Sequence, residues 1–185
     1  MLPHPLTARL HRATTQINAG AVLTLPLLAR LTFAAVLLRY FWASALTKLE
    51  GPFTLSFNAY AQIFPRKMEA AGYDISGFGA FEWLTIMAGT YAEFLLPALI
   101  VLGLATRLAA LGMIGFIIVQ SLTDVIGHGL GAETVGALFD RHSDALILDQ
   151  RAFWMLGLLT LAGLGGGVFS LDRLISKRCQ PNTAV

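Results

Sequence analysis

Residues 90–111 read TYAEFLLPALIVLGLATRLAAL, two apolar runs separated only by Gly103, Leu104 and Ala105. A water-soluble domain has no use for two such runs end to end. A bilayer does, as antiparallel helices joined by a tight basic turn, because a spanning segment must satisfy its own backbone groups. The first run carries an acid, Glu93, and a proline, Pro97, and the second opens on Arg107. Comparable stretches predict spans at about 25–47, 82–104, 107–127 and 151–169. The expected fold is an all-α integral membrane protein, a four-transmembrane-helix bundle with two long extracytoplasmic loops. Only 13% of residues are charged, and the mean hydropathy is +0.67; a globular domain is about 25% charged.

Three segments make up the expected organisation: an N-terminal stretch at 1–24, the transmembrane domain at 25–170 and a basic tail at 171–185. Residues 1–20 lack the apolar core and small-residue site of a cleaved signal. Leu6, Leu10, Ala13 and Ile17 recur at helical spacing, which suits a surface-lying amphipathic helix or a mobile tail. The 51–81 connection holds an apolar stretch too short to span, read as an interfacial or re-entrant helix ended by Pro65. Arg9, Arg12, Arg107, Arg173, Lys177 and Arg178 fall on the side of the termini and the short turn, and the acidic 127–150 loop falls on the other. The positive-inside rule then makes both termini cytoplasmic in a multi-pass bacterial inner-membrane protein. The single cysteine, Cys179, rules out a disulfide framework and an intramolecular dithiol relay. A net charge of +2 points to no nucleic-acid partner.

Charges inside the spans are the candidates for function, since each costs at least about 2.5–3.5 kcal/mol unless paired. Arg30, near the start of the first span, is expected to snorkel to the headgroups. Arg39 and Glu93 fall within about one helical turn of the same depth and form the expected ion pair. Lys48 ends the first span as an interface anchor. Gln120, Asp124 and His128 follow at i, i+4 and i+8 on one stripe. Arg39, Glu93 and Asp124 are thus candidate catalytic groups, and Lys48, Glu82, Gln120 and His128 candidate substrate contacts around one outward-facing vestibule. Each also has a plain structural reading, as an ion pair locking two helices or as a hydrated helix end. Asp124, His128 and His142 have the right ligand types for a metal but no diagnostic spacing, and no metal is expected. Gly163 and Gly167 give a small-xxx-small face for close helix packing. No nucleophile elbow, phosphate loop, dinucleotide fingerprint or haem attachment motif occurs, and no two histidines match in depth within the spans.

The segments WASALTKLEGP and GTYAEFLLPALIVLGLATRLAALGMIGF resemble the DoxX family of small bacterial inner-membrane proteins. The residues that carry the likeness are Lys48, Gly51 and Glu93, with Gly103, Leu104, Thr106 and Arg107 in the turn. SLDRLI after the fourth span is similar to the family's usual ending. The resemblance covers residues 29–127 well and 151–175 loosely. It implies a four-helix bundle. Some members are subunits of thiosulfate:quinone oxidoreductase, and others are linked to oxidative-stress or thiol-redox assemblies. The long 51–81 connection and the charged 129–149 loop depart from the short family pattern and suggest a partner on that side.

Three functions follow from these readings. The first is a membrane subunit of a redox-related complex, quinone-, thiosulfate- or thiol-linked, with quinone as cofactor and Arg39, Glu93 and Asp124 binding substrate and moving protons. The second is a non-catalytic accessory or anchor subunit of a larger complex. The third is a small transporter or metal-handling protein. The expected partners are the bilayer and another membrane or periplasmic subunit.

Overall fold

A computed structural model describes residues 5–179 of the chain. His4 and the tail beyond Cys179 lie outside the described residues. The chain runs as α1 (Pro5–Phe33), a π-helical turn (Ala34–Leu38) and α2 (Arg39–Leu46), which stack as one continuous helix. A short ribbon follows, β1 (Leu49–Gly51) antiparallel to β2 (Thr54–Leu55) with Leu49 opposite Leu55. Then come α3 (Phe57–Ile63), α4 (Pro65–Ala70), α5 (Ala80–Leu102) and α6 (Thr106–Leu122), the last continued by a π turn to Gly127. The single turn α7 (Ala132–Val135), α8 (Arg151–Leu164) and α9 (Leu171–Cys179) complete it. Among the described residues, four helical stretches are long and apolar enough to cross a membrane: Arg9–Leu46, Ala80–Leu102, Thr106–Gly127 and Leu146–Leu164. The two ends of the bundle are called here the terminal end, which carries the α5–α6 turn, and the loop end.

The bundle closes because each span buries one stripe of residues spaced by one or two helical turns, in steps of three, four or seven. On the first span this stripe is Arg30, Phe33, Leu37, Phe41, Ala45 and Lys48, and on α5 it is Ile86, Thr90, Glu93, Pro97 and Ile100. Thr106, Ala110, Met113 and Ile117 bury from α6, and Arg151, Leu158 and Leu161 from α8. Helix α8 packs on α6 and α1, while α5 packs on α6 and α2. Phe41 lies at the centre, edge-on to Phe116 (6.0 Å) and to Trp154 (6.3 Å). Pro97 supplies no N–H for the Glu93 carbonyl, and the Phe94 carbonyl one residue on accepts a bond from Trp42 Nε1 (3.1 Å).

The terminal end is fastened by Arg30. Its guanidinium is buried and donates to four carbonyls: Ile100 (3.0 Å) and Val101 (2.6 Å) at the end of α5, and Gly166 (2.9 Å) and Phe169 (2.6 Å) beyond α8. A cation on the orphan carbonyls of a helix C-terminus is favourable both as hydrogen bonds and against the helix dipole. The expected snorkelling of Arg30 to the headgroups is therefore incorrect: it shares the stripe of Phe33 and Leu37 and turns inward. Gly103 follows at φ +68, where a Cβ would come within 2.6 Å of Ser170 Cβ and 2.8 Å of Arg30 Cζ. Asp172 of α9 caps α6 from across the chain, accepting from Ala105 N (2.6 Å), Thr106 N (2.9 Å) and Thr106 Oγ1 (2.7 Å). Burial pushes this carboxyl up, but those bonds and the Arg30 charge outweigh it and hold it below the usual range.

Other expectations change as well. Residues 5–24 continue into the first span without a break. The 51–81 connection opens with the β1–β2 ribbon, and Pro65 starts α4 rather than only ending α3. The proposed Gly163–Gly167 packing face does not form. Helix α8 stops at Leu164, Gly163 faces open space, and Gly167 sits beyond the helix at φ +76 against Pro26.

Candidate functional site

The polar groups of the loop end gather where α2, α5 and α6 meet. Lys48 and Glu93 form a buried ion pair, Nζ to Oε2 at 2.8 Å and to Oε1 at 3.1 Å, with side chains 5% and 4% exposed. Ser44, one turn before Lys48, binds both: its hydroxyl donates to Glu93 Oε1 (3.1 Å) and accepts from Lys48 Nζ (2.7 Å). The partner expected for Glu93 was Arg39, and that pairing is corrected. From Leu37, on the buried stripe, Arg39 lies two residues or about 200° round the helix. It is exposed on the outer surface of the bundle.

Beside this pair is a cavity of about 200 Å³, lined by Lys48, Glu93, Gln120, Asp124 and His128 together with Ser44 and Gln62. Five of the seven residues expected to converge here are thus brought together. Arg39 and Glu82 do not line it. Glu82 sits at the first turn of α5, where it pairs with Lys67 and accepts from Gly79 N (2.9 Å). Lys67 in turn lies 4.7 Å over the Phe78 ring, so the trio fixes the connection onto the top of α5.

The expected stripe of Gln120, Asp124 and His128 holds, but each member has a different partner. Asp124 accepts from Arg151 Nη2 (2.5 Å), and Arg151 Nη1 also donates to Ser121 Oγ (2.7 Å), which ties α8 to α6. His128 meets the Gln62 carbonyl (3.0 Å), and His142 contacts Arg141 (3.4 Å). Gln120 Nε2 pairs with the Tyr40 hydroxyl (3.3 Å), while Gln120 Oε1 is buried with no partner. Turning the amide over exchanges the two atoms and still leaves one end unpaired. Such an end in a cavity wall can be satisfied by a ligand or a water.

The arrangement offers a buried carboxylate with a cation and a hydroxyl on it, facing a small cavity that holds an unsatisfied amide. Chemically it can bind a small polar group and exchange a proton with it. Reading by depth alone missed Ser44, the buried role of Lys48, and Arg151. Angular phase holds the missing signal, since Lys48 and Arg151 both fall on stripes of apolar residues.

A bundle of four membrane-crossing helices around buried ion pairs defines a multi-pass integral membrane protein, embedded in the lipid bilayer. The family model for DoxX matches residues 25–128, more than half of the chain, and the chain belongs to the DoxX family. No curated protein and no solved structure matches it.

Proposed function

We propose that this chain is an inner-membrane subunit of a redox-related complex, with both termini cytoplasmic, and that its loop-end cavity receives a small protic ligand of the quinol headgroup class. The observation that carries this reading is the cavity wall itself, the buried Lys48–Glu93 pair next to the half-satisfied Gln120 amide. A quinol hydroxyl offers the donor that Gln120 Oε1 lacks. Glu93 accepts the two quinol protons one after the other, passing the first on before it takes the second. Ser44 and Lys48 hold the carboxylate in place and balance its charge, and Asp124 and His128 provide the way out toward the loops for both. Electrons pass between the quinone class and a partner subunit. The redox assignment itself comes from the DoxX resemblance.

A second reading, an accessory subunit that only docks, draws support from apolar side chains on the loops. Phe53 and Leu138 are exposed, and Phe139 stands wholly clear of the protein at φ +67. Purification from native membranes in mild detergent, with extraction of quinones, separates the two readings. The wild type is expected to retain quinone, and Glu93→Gln and Gln120→Leu to lose it. Gln120→Leu leaves the ion pair in place, and its unchanged elution in detergent is the check that its loss of quinone is not misfolding. A constant partner with no quinone in any sample sinks the redox site and leaves the docking subunit.

A further inference from the structure

Arg39 is a charge within a span that makes no hydrogen bond or ion pair among the described residues. It is exposed, and it lies nine residues from each of Arg30 and Lys48. Those two mark the span's ends, Arg30 on the carbonyls of the terminal end and Lys48 where α2 gives way to the β ribbon. At 1.5 Å per residue, Arg39 is about 13 Å from either end, close to the middle of a hydrocarbon core of about 30 Å. A snorkelling arginine covers only part of that distance. A cation facing acyl chains at this depth is among the costliest arrangements a membrane protein can keep.

Its surroundings are those of a helix contact. Ala35 and Ala43, one turn before and one turn after, are exposed on the same face, and small residues at this spacing let a second backbone come close. Val36, Trp42 and Leu46 beside them are apolar and exposed. Among the described residues, Glu93 is taken by Lys48, Asp124 by Arg151 and Glu82 by Lys67. Asp149, which accepts from Ala145 N, sits in the first turn of its span at the loop end, far from the Arg39 level. A second copy therefore has no free carboxylate to offer at this level.

We propose that the Ala35–Arg39–Ala43 face is the docking surface for a transmembrane helix of a different subunit, one carrying an aspartate or glutamate near the bilayer midplane. The inference stands on the membrane placement alone and is independent of the redox reading. A photo-crosslinking residue placed at Ala43, and separately at Ala35, in native membranes tests it, with Leu111 on α6 as the control position. The expected result is one heterologous product whose crosslinked segment, mapped by mass spectrometry, is a membrane span containing Asp or Glu. Its yield falls at least about tenfold in Arg39→Leu and Arg39→Glu and survives in Arg39→Lys. Unchanged elution of each variant in detergent shows that the bundle itself is intact. The proposal is overturned by no product at either position, by a product at twice the chain's own mass, by a segment without a carboxylate, or by a yield indifferent to Arg39→Leu.

Discussion

Removing Lys48 leaves Glu93 in the bundle interior with a single donor, the Ser44 hydroxyl at 3.1 Å. The lost ammonium makes four contacts, two to Glu93 at 2.8 and 3.1 Å and two to Ser44 at 2.7 and 3.2 Å. Breaking a buried pair from one side costs about 3–5 kcal/mol, whereas replacing both partners by apolar groups of similar volume is often neutral or stabilising. Lys48→Met and Glu93→Leu should therefore each destabilise by about 3 kcal/mol or more, and the double variant by less than either. The coupling energy from that cycle should then be at least about 3 kcal/mol. Arg39→Leu removes a cation that pairs with nothing in the isolated chain and faces the lipid, so it should not destabilise that chain. Reversible unfolding in mixed detergent micelles, read by tryptophan fluorescence, measures all four. Additive single effects would refute the pairing, and so would a cost for Arg39→Leu equal to that for Lys48→Met.

Two further predictions concern the terminal end. Gly103→Ala forces a side chain into a left-handed backbone and against Ser170 and Arg30, so it should lower stability by more than the roughly 1–2 kcal/mol of the backbone term alone; thermal unfolding in detergent checks this. Asp172→Ala removes the cap of α6 and should cost about 0.5–2 kcal/mol. Because the Asp172 carboxyl titrates below its ordinary range, its contribution is complete above about pH 4 and fades as pH falls through the lowered folded value. A pH series on wild type and Asp172→Asn should show a smaller acid loss in the variant, by the share that Asp172 contributes.

The four spans could be read from length and hydropathy because a bilayer enforces both. The site was read less well because depth places a residue along a helix and says nothing of direction around it. Arg39 and Glu93 match in depth, yet Arg39 points away, while Lys48 reaches Glu93 from the stripe of Phe41 and Ala45. The same stripes hold Arg30 and Arg151, so their burial was available from the three-and-four spacing. Asp172 was not: no local pattern says that a residue of α9 caps a helix starting at Thr106. The β ribbon is likewise set by the chain turning at Gly51 and Pro52, which leaves little periodicity in so short a piece.

The four carbonyls around Arg30 also bear on how the chain is made. Ile100 and Val101 are 70 and 71 residues downstream of Arg30, and Gly166 and Phe169 are 136 and 139. A nascent chain therefore carries Arg30 into the bilayer long before the last of its partners has been synthesised. Half of the ligation can form once α5 is inserted, and the rest must wait for α8 and the turn beyond it. The arginine thus reports completion, as the last span to arrive, with the turn beyond it, is what relieves it. A chain halted after α6 would keep a half-satisfied cation at the membrane edge, a feature by which quality control could tell an unfinished bundle from a closed one.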